Sequence, residues 1–194
     1  SAASDVYKRQ GINTEKKILV YFPTWDEDCG IIKFGNQIAK LKNQYFIIIK
    51  LHHVLSRDFS NPARKMAYEI ADMVLGGNYD FEKATALADF ILSDAKSGAT
   101  LESLYLNQQT PAAFLSVREN INEWYYPEIS MAAPVISNPD RLNEVIENYK
   151  LSDFIESRKN VILRCYGKSN YPYFKDNVSD LLPVSYTHLT LPTI

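Results

Sequence analysis

The chain has 194 residues and a mass of 22.2 kDa, enough for one domain with its own hydrophobic core. Apolar residues make up 46% and charged residues 23%, as in a globular protein, and no apolar run reaches the length of about 18 residues that a membrane span needs. The net charge of -2 argues against a protein that binds nucleic acid by neutralising phosphates, and two cysteines are too few for a disulfide framework.

The two ends of the chain resemble translated sequencing-adapter DNA rather than natural protein. The segment Asp5–Gln10 back-translates as GAT GTG TAT AAG AGA CAG, and the complementary strand of that DNA reads Val-Ser-Tyr-Thr-His, the sequence of residues 184–188. Matches at both ends argue against coincidence, and such segments are set aside before the fold is considered. We therefore predict one natural domain, a gene fragment, over residues 11–183, flanked by non-native tails at residues 1–10 and 184–194.

The first part of this domain predicts a strand, a helix and a second strand. Lys17–Phe22 is a short apolar run rich in strand-forming residues, and Pro23 closes it, so we expect a buried strand. Apolar residues then recur at helical spacing, at Ile31, Phe34, Ile38 and Leu41. Tyr45–Lys50 is a second run of the buried-strand type.

Two capped helices and a weak strand follow. Asn61 and Pro62 are residue types preferred at the N-cap and at the first position of a helix. The apolar face of this helix consists of Ala63, Met66, Ala67, Ile70 and Met73. Met73–Leu75, closed by two glycines, predicts a weak strand, and Asp80 caps a short helix with the apolar residues Phe81, Ala84 and Leu87.

The pattern then continues to the end of the domain. Phe90–Leu92 predicts a strand, Ser97 caps a helix, and Ala112–Leu115 predicts another strand. Beyond it we expect only helices, with the apolar residues Leu142, Val145, Ile146 and Tyr149 after the pair Asn138-Pro139, and then Leu151, Phe154, Ile155, Ile162 and Cys165. Short strands that alternate with amphipathic helices indicate an α/β fold: a Rossmann-like parallel sheet with helices on both faces, and a helical C-terminal region.

Three predicted loops follow strands and should meet at one edge of the sheet. In an open parallel sheet, ligands bind outside the carboxyl ends of the strands. The loops contain residues 23–25, 50–53 and 93–98, and all three carry polar or basic side chains. We therefore expect one shared binding site at this edge.

The third loop has the features of a phosphate site. Ser97 and Gly98 open a helix directly after a strand, and the unpaired N–H groups at the start of a helix suit a phosphate. Gly98 allows a ligand to approach the backbone closely, and the carboxylate of Glu102, one turn further on, can accept hydrogen bonds from ribose hydroxyls. Ser97 taken alone fits an ordinary N-cap, so this interpretation depends on the other loops.

The remaining candidates are histidines, acidic residues and aromatic residues. His52 follows a strand, where its imidazole can donate to a diphosphate or transfer a proton. The pair His52-His53 has no cysteine nearby and no further histidine in the domain, so we expect no metal site and no cofactor. The acidic cluster at residues 26–28 fits a solvated loop better than a cation site, and the Trp-Tyr-Tyr segment at residues 124–126 fits burial against the sheet better than base stacking.

Together, the three loops resemble those of a known family, the CDP-glycerol glycerophosphotransferases, which build or prime teichoic-acid-like and capsular polymers of the bacterial envelope. The motifs that carry the likeness are, in chain order, Pro23-Thr24-Trp25, Leu51-His52, Ser93-Asp94, Ser97-Gly98 and Glu102. The resemblance covers residues 16–163. It implies the C-terminal, nucleotide-binding half of a two-domain GT-B transferase, which is cytoplasmic and, in its full-length form, peripheral at the inner face of the cell membrane.

By position, the resemblance assigns seven residues to the donor site: Pro23 and Thr24 at the nucleotide, Lys50 and His52 at the diphosphate, Ser97 and Gly98 at the phosphate-binding helix start, and Glu102 at the ribose. His52 is the candidate catalytic residue among them. Lys50 stands where the family usually has arginine. The loop around Lys96 is one residue longer than the usual Thr-Asp-Tyr-Ser-Ser of the family.

The function that the resemblance implies is transfer of glycerol phosphate, or a related polyol phosphate, from a CDP-activated donor to an acceptor hydroxyl. The partners would be CDP-glycerol or another nucleotide-diphosphate donor, and a polymer or lipid-linked acceptor bound through an N-terminal half; no nucleic acid is expected. That half would also supply the general base, so we expect no turnover by this part alone. Two alternatives stay open: a nucleotide-sugar glycosyltransferase or UDP-GlcNAc 2-epimerase-like enzyme, and a noncatalytic nucleotide-binding or interaction module.

Overall fold

Six parallel strands form the centre of the molecule in the computed structural model, which describes residues 15–119 and 128–167. The strands are β1 (Lys17–Phe22), β2 (Tyr45–Lys50), β3 (Met73–Leu75), β4 (Phe90–Asp94), β5 (Ala112–Leu115) and β6 (Val135–Ile136). Their order across the sheet is β3-β2-β1-β4-β5-β6, and every neighbouring pair is parallel. The order reverses between β1 and β4, which is where a doubly wound sheet has its ligand-binding crevice.

Helices cover both faces of this sheet: α1 (Ile31–Lys40), α2 (His53–Arg57), α3 (Pro62–Ile70), α4 (Phe81–Ala86), α5 (Gly98–Leu106), α6 (Ile129–Ala132), α7 (Leu142–Glu147) and α8 (Ile155–Tyr166). Alternate residues of β1 point to opposite faces, as the pleat requires. Ile18, Val20 and Phe22 pack with α4, α5, α6 and α8, whereas Leu19 and Tyr21 pack with α1, α2, α3 and α7. The α/β fold class predicted from the sequence is confirmed.

The C-terminal region is not wholly helical, as the sequence had suggested, because β6 completes the sheet. In β6, Val135 pairs with Phe114 and Ile136 pairs with Leu115. Two residues are too few to show a strand period, so only the neighbouring strand reveals them. The helical segments there are also shorter than expected, since Pro139–Arg141 and Leu151–Asp153 form separate 3-10 turns. Cys165, expected on an apolar face, is exposed.

Two further differences lie beside the predicted site. Ser93 and Asp94, expected in a loop, are buried residues of β4. The short helix α2 was not predicted, and His52 is its N-cap residue. The strand pattern does not show the hydrogen bonds involved, which are those that Asp94 accepts from the loop after β1 and the one that His52 accepts at the start of α2.

A buried arginine holds the C-terminal helices to the sheet. The guanidinium of Arg158 on α8 is fully buried. It donates to the carbonyl oxygens of Gln108 at 2.7 Å, Thr110 at 2.8 Å and Ala132 at 3.1 Å, and to the Tyr149 hydroxyl at 2.8 Å. Three backbone carbonyls from two segments, the loop before β5 and the end of α6, thus receive hydrogen bonds from one side chain, as buried acceptors require.

Replacing this side chain should destabilise the domain strongly. In the variant Arg158→Met, these carbonyls lose their donor while the volume of the side chain is largely kept. We expect the free energy of unfolding to fall by about 3 kcal/mol or more. Urea denaturation followed by circular dichroism measures this change. The control Arg164→Met removes an exposed arginine of the same helix and should change the free energy by less than about 1 kcal/mol; equal losses in both variants would contradict the structural role of Arg158.

Candidate functional site

A cavity of about 420 Å³ opens at the carboxyl ends of β1, β2 and β4, where the strand order reverses. All seven residues that the sequence singled out line it: Pro23, Thr24, Lys50, His52, Ser97, Gly98 and Glu102. The other lining residues are Phe22, Trp25, Asp26, Leu51, Phe81, Lys96 and Ala99. The three predicted loops therefore meet at one place, while the roles of the seven residues in binding stay predictions.

The buried carboxylate of Asp94 fixes the loop that follows β1. Its Oδ1 accepts from the Tyr21 hydroxyl at 2.6 Å, and its Oδ2 accepts from the backbone N–H groups of Thr24 at 2.7 Å and Gly30 at 3.1 Å. The carboxylate thus joins the beginning and the end of this loop, and holds Thr24 in the cavity wall. Sequence reasoning did not find this role, although a carboxylate that directly follows an apolar strand was an available signal.

Burial changes the ionisation of Asp94. It raises the pKa of this carboxyl to about 7, although the hydrogen bonds from Tyr21, Gly30 and Thr24 favour the charged form and act in the opposite direction. The pKa of Tyr21 is raised as well, through its own burial and through the charge of Asp94. Tyr21 therefore keeps its proton near neutral pH and remains a hydrogen-bond donor.

His52 is held in one orientation at the mouth of the cavity. Its Nδ1 accepts from the backbone N–H of Val54 at 3.3 Å, and its ring stacks on Trp25 with 6.1 Å between centroids. Burial, together with the positive charges of His53 and Lys50, lowers the pKa of His52 below its usual value. The neutral ring therefore carries its proton on Nε2, and this N–H group is a donor for a ligand oxygen.

Lys50 and Glu102 lie at the same cavity and influence each other. The ammonium of Lys50 donates to the carbonyl oxygens of Gly77 at 3.1 Å and Leu51 at 3.3 Å. Burial lowers the pKa of Lys50, and the charges of Asp80 and Glu102 oppose this effect. The pKa of Glu102 is raised by burial and by Glu82, and Lys50 lowers it. The cavity wall thus contains both the ammonium group of Lys50 and the carboxylate of Glu102, which can accept hydrogen bonds.

The start of α5 forms another part of the wall. The Ser97 hydroxyl accepts from the Ala99 N–H at 3.2 Å, so Ser97 is an N-cap residue, as its residue type also allowed. Thr100, buried one turn further on, donates to the Asp94 carbonyl at 2.7 Å and so joins the helix to β4. A Cβ atom at Gly98 would meet no atom within 4 Å, so this glycine leaves open space beside the helix start.

The acidic cluster at residues 26–28 is not a simple solvated loop. Asp28 is only 5% exposed. Its carboxylate lies 2.6 Å from Nε of Arg118 and 2.8 Å from Nζ of Lys96. Burial alone would raise the pKa of Asp28, but the hydrogen bonds from Arg118 and Lys96 outweigh it and the pKa is lowered. This ion-pair cluster joins the loops after β1, β4 and β5, and spacing along the chain could not reveal it.

Two further observations concern only the described parts of the chain. Within residues 15–119 and 128–167, no three histidine, cysteine or carboxylate side chains are grouped as a metal ion would require. Across the same ranges, no helix has the length and apolarity that crossing a bilayer demands. The predicted tails, at residues 1–10 and 184–194, and the aromatic segment at residues 124–126 lie outside the described residues.

Known proteins share the fold of this chain. No protein-family model matches the chain. Curated relatives include the teichoic acid poly(glycerol phosphate) polymerases of Bacillus spizizenii, 27% identical over 171 residues, and of Bacillus subtilis, 21% identical over 166 residues. A solved structure of the wall teichoic acid polymerase TagF with CDPG matches 93% of this chain, with a TM-score of 0.61 and 16% identity. The predicted family resemblance is confirmed.

The extent of the similarity differs between the chain and its relatives. The alignments cover 78% and 77% of this chain, but the chain spans only 42% and 21% of these polymerases and 45% of the TagF structure. The structural neighbours have the GT-B architecture. The chain is therefore similar to less than half of the length of these teichoic acid polymerases.

Substitution by alanine should destabilise the protein at Gly30 but not at Gly98. A Cβ at Gly30 would lie 2.6 Å from Oδ1 of Asp94 and 2.9 Å from the Tyr21 hydroxyl, so Gly30→Ala forces this network apart. We expect the free energy of unfolding to fall by about 1–3 kcal/mol. Gly98→Ala, the matched control, should change it by less than about 0.5 kcal/mol. Thermal and urea denaturation measure both variants, and an undisturbed Gly30→Ala protein would contradict the network.

The titration of Asp94 should be visible directly. Because its folded-state pKa of about 7 lies above its ordinary value of 3.8, the folded protein keeps a proton that the unfolded chain loses. The stability that this proton contributes is therefore complete below about pH 4 and is lost as the pH rises through about 7. Carboxyl ¹³C NMR should give a midpoint near 7 for this group, and Tyr21→Phe, which removes a donor to the charged form, should raise it. Tyr68→Phe is an exposed control; an Asp94 midpoint near 4 in the unsubstituted protein would contradict the assignment.

Proposed function

We propose that this chain is the donor-binding part of an enzyme that transfers glycerol phosphate, or a related polyol phosphate, from a CDP-activated donor to an acceptor hydroxyl during synthesis of a bacterial cell-envelope polymer. The observation that carries this proposal is the single cavity at the reversal of strand order, where an ammonium group, an imidazole N–H and a helix start converge. The similarity to teichoic acid poly(glycerol phosphate) polymerases supports it.

The charges of the cavity suit a diphosphate. In the proposed reaction, an acceptor oxygen forms a bond to the phosphorus of the polyol phosphate group, the bond from that phosphorus to the bridging oxygen breaks, and CMP leaves. Negative charge develops on the bridging oxygen, so fixed donors nearby lower the barrier. Lys50, the Nε2–H of His52 and the N–H groups at the start of α5 would supply this stabilisation. The proton of the acceptor hydroxyl would pass to a general base.

The nucleoside end of the donor would lie against other residues of the same cavity. Pro23 and Thr24 form the wall after β1, and Asp94 holds them in place through the Thr24 N–H. Glu102 would accept hydrogen bonds from the ribose hydroxyls, since it lines the cavity one turn into α5.

The acceptor and the general base would belong to the part of the relatives that this chain does not span. The chain covers 42% of the Bacillus spizizenii polymerase. The remaining length of that relative is enough for a second domain, which would face the carboxyl ends of the strands. A polymer or lipid-linked acceptor would place such an enzyme in the cytoplasm, at the inner face of the cell membrane. This chain alone should accordingly bind the donor without turnover.

Calorimetry with CDP-glycerol tests the proposal. The variant His52→Asn keeps an oxygen that can cap α2 but removes the Nε2–H donor, and we expect it to weaken donor binding about 10-fold. Glu102→Gln, which weakens an acceptor of ribose hydroxyls, should weaken binding as well. Tyr68→Phe is the control, because Tyr68 is exposed and does not line the cavity.

The same titrations distinguish the alternatives. Binding of UDP-GlcNAc without binding of CDP-glycerol would favour a nucleotide-sugar enzyme of the same architecture over the proposed one. A folded chain that binds neither ligand would contradict the donor-binding role and favour an interaction module. Equal affinities for CDP-glycerol in the unsubstituted protein and in His52→Asn would show that His52 does not contribute to donor binding.

A further inference from the structure

Lys96 is a cavity residue that the family pattern did not assign. It lies in the short loop between β4 and α5, and its side chain lines the same cavity as Lys50 and Gly98. Its ammonium lies 2.8 Å from the carboxylate of Asp28, and this side chain is 31% exposed. Within the described parts of the chain, Asp28 is the one polar partner of this ammonium, so two of its three N–H groups remain available to a ligand.

Asp28 does not depend on Lys96 for charge compensation. Arg118 donates to it through Nε at 2.6 Å and through a second guanidinium nitrogen at 3.3 Å. Arg118 also contacts Glu27 at 2.7 Å, but the Glu27 side chain is 80% exposed, so water solvates its charge. If Lys96 moved away, the buried carboxylate would still have a cation with two donated hydrogen bonds.

Lys50 and Lys96 approach the cavity from opposite sides. Lys50 is the last residue of β2 and Lys96 follows β4; these strands flank β1, and two strand spacings separate them by about 10 Å. Lys50 is held by two carbonyl oxygens, whereas Lys96 is held by one carboxylate, that of Asp28. One fixed and one exchangeable ammonium, on the two sides of one cavity, match a ligand with two adjacent anionic groups better than a ligand with one.

We propose that Lys96 is a phosphate-binding residue that exchanges its contact with Asp28 for a contact with the second phosphate of a bound nucleoside diphosphate. The proposal rests on the donor-binding function above and adds to it that this cavity distinguishes diphosphates from monophosphates. Lys96 can move away without leaving Asp28 unpaired, because Arg118 continues to neutralise this carboxylate. The side chain of Lys96 is 31% exposed, and the buried carboxylate of Asp28 keeps Arg118 as its partner when the ammonium leaves.

Calorimetric titration with CDP and with CMP tests this inference. In the unsubstituted protein CDP should bind more tightly than CMP. Lys96→Met should weaken CDP binding about 10-fold and change CMP binding by less than about twofold, since only the second phosphate loses its partner. Lys96→Arg, which keeps the charge and the donors, should restore the preference for CDP. Lys40→Met, a control at the far end of α1, removes one positive charge away from the cavity and should leave both affinities unchanged.

The outcomes separate this inference from the function on which it rests. If the unsubstituted protein binds CDP and the folded Lys96→Met protein keeps the same ratio of CDP to CMP affinity, the role of Lys96 is wrong while the donor-binding function stands. If Lys96→Met weakens CMP and CDP equally, Lys96 does not contact the second phosphate and the inference is also wrong. If the folded, unsubstituted chain binds neither nucleotide, both the proposed function and the inference fail. Circular dichroism of each variant establishes that it is folded.

Discussion

The cavity depends on the hydrogen bonds that one buried carboxylate, that of Asp94, accepts. It lies at the carboxyl end of β4, inside the sheet, and it accepts hydrogen bonds from the Tyr21 hydroxyl and from two backbone N–H groups of the loop after β1. A carboxylate in this position needs such donors, because an unpaired buried charge is strongly destabilising. Its requirement for space also explains Gly30, where a Cβ atom would lie 2.6 Å from the carboxylate. Strand, loop and cavity wall thus form one unit.

The helix α5 connects this unit to the rest of the molecule. At its beginning, the Thr100 hydroxyl donates to the Asp94 carbonyl. Beyond its end, Arg158 donates to the carbonyl oxygens of Gln108 and Thr110. A helix attached at both ends can present its first N–H groups at a constant position, which is the preorganisation that binding a charged ligand requires. The same charged side chain, Arg158, secures the C-terminal helices.

Charges around the cavity are balanced before any ligand binds. Lys50 contacts backbone carbonyls and lies near Glu102, and Lys96 contacts Asp28, which Arg118 also neutralises. Such balance avoids the penalty of unpaired buried cations in the ligand-free protein. In the proposed exchange, a diphosphate would replace Asp28 as the partner of Lys96. Specificity for two phosphates would arise from where the two ammonium groups can reach, and not from the net charge of the chain, which is only -2.

The sequence by itself determined the α/β class, five of the six strands and seven of the residues that line the cavity, because strand runs, helix caps and strand-end loops are local patterns. The tertiary structure decided what no local pattern contains. β6 exists only beside β5, His52 has its donor geometry because it caps α2, and Asp94 and Thr24 are joined across 70 positions. The contact of Asp28 with Arg118 spans 90 positions. Burial and distant partners, and not neighbours in the chain, fix the charges and orientations of these side chains.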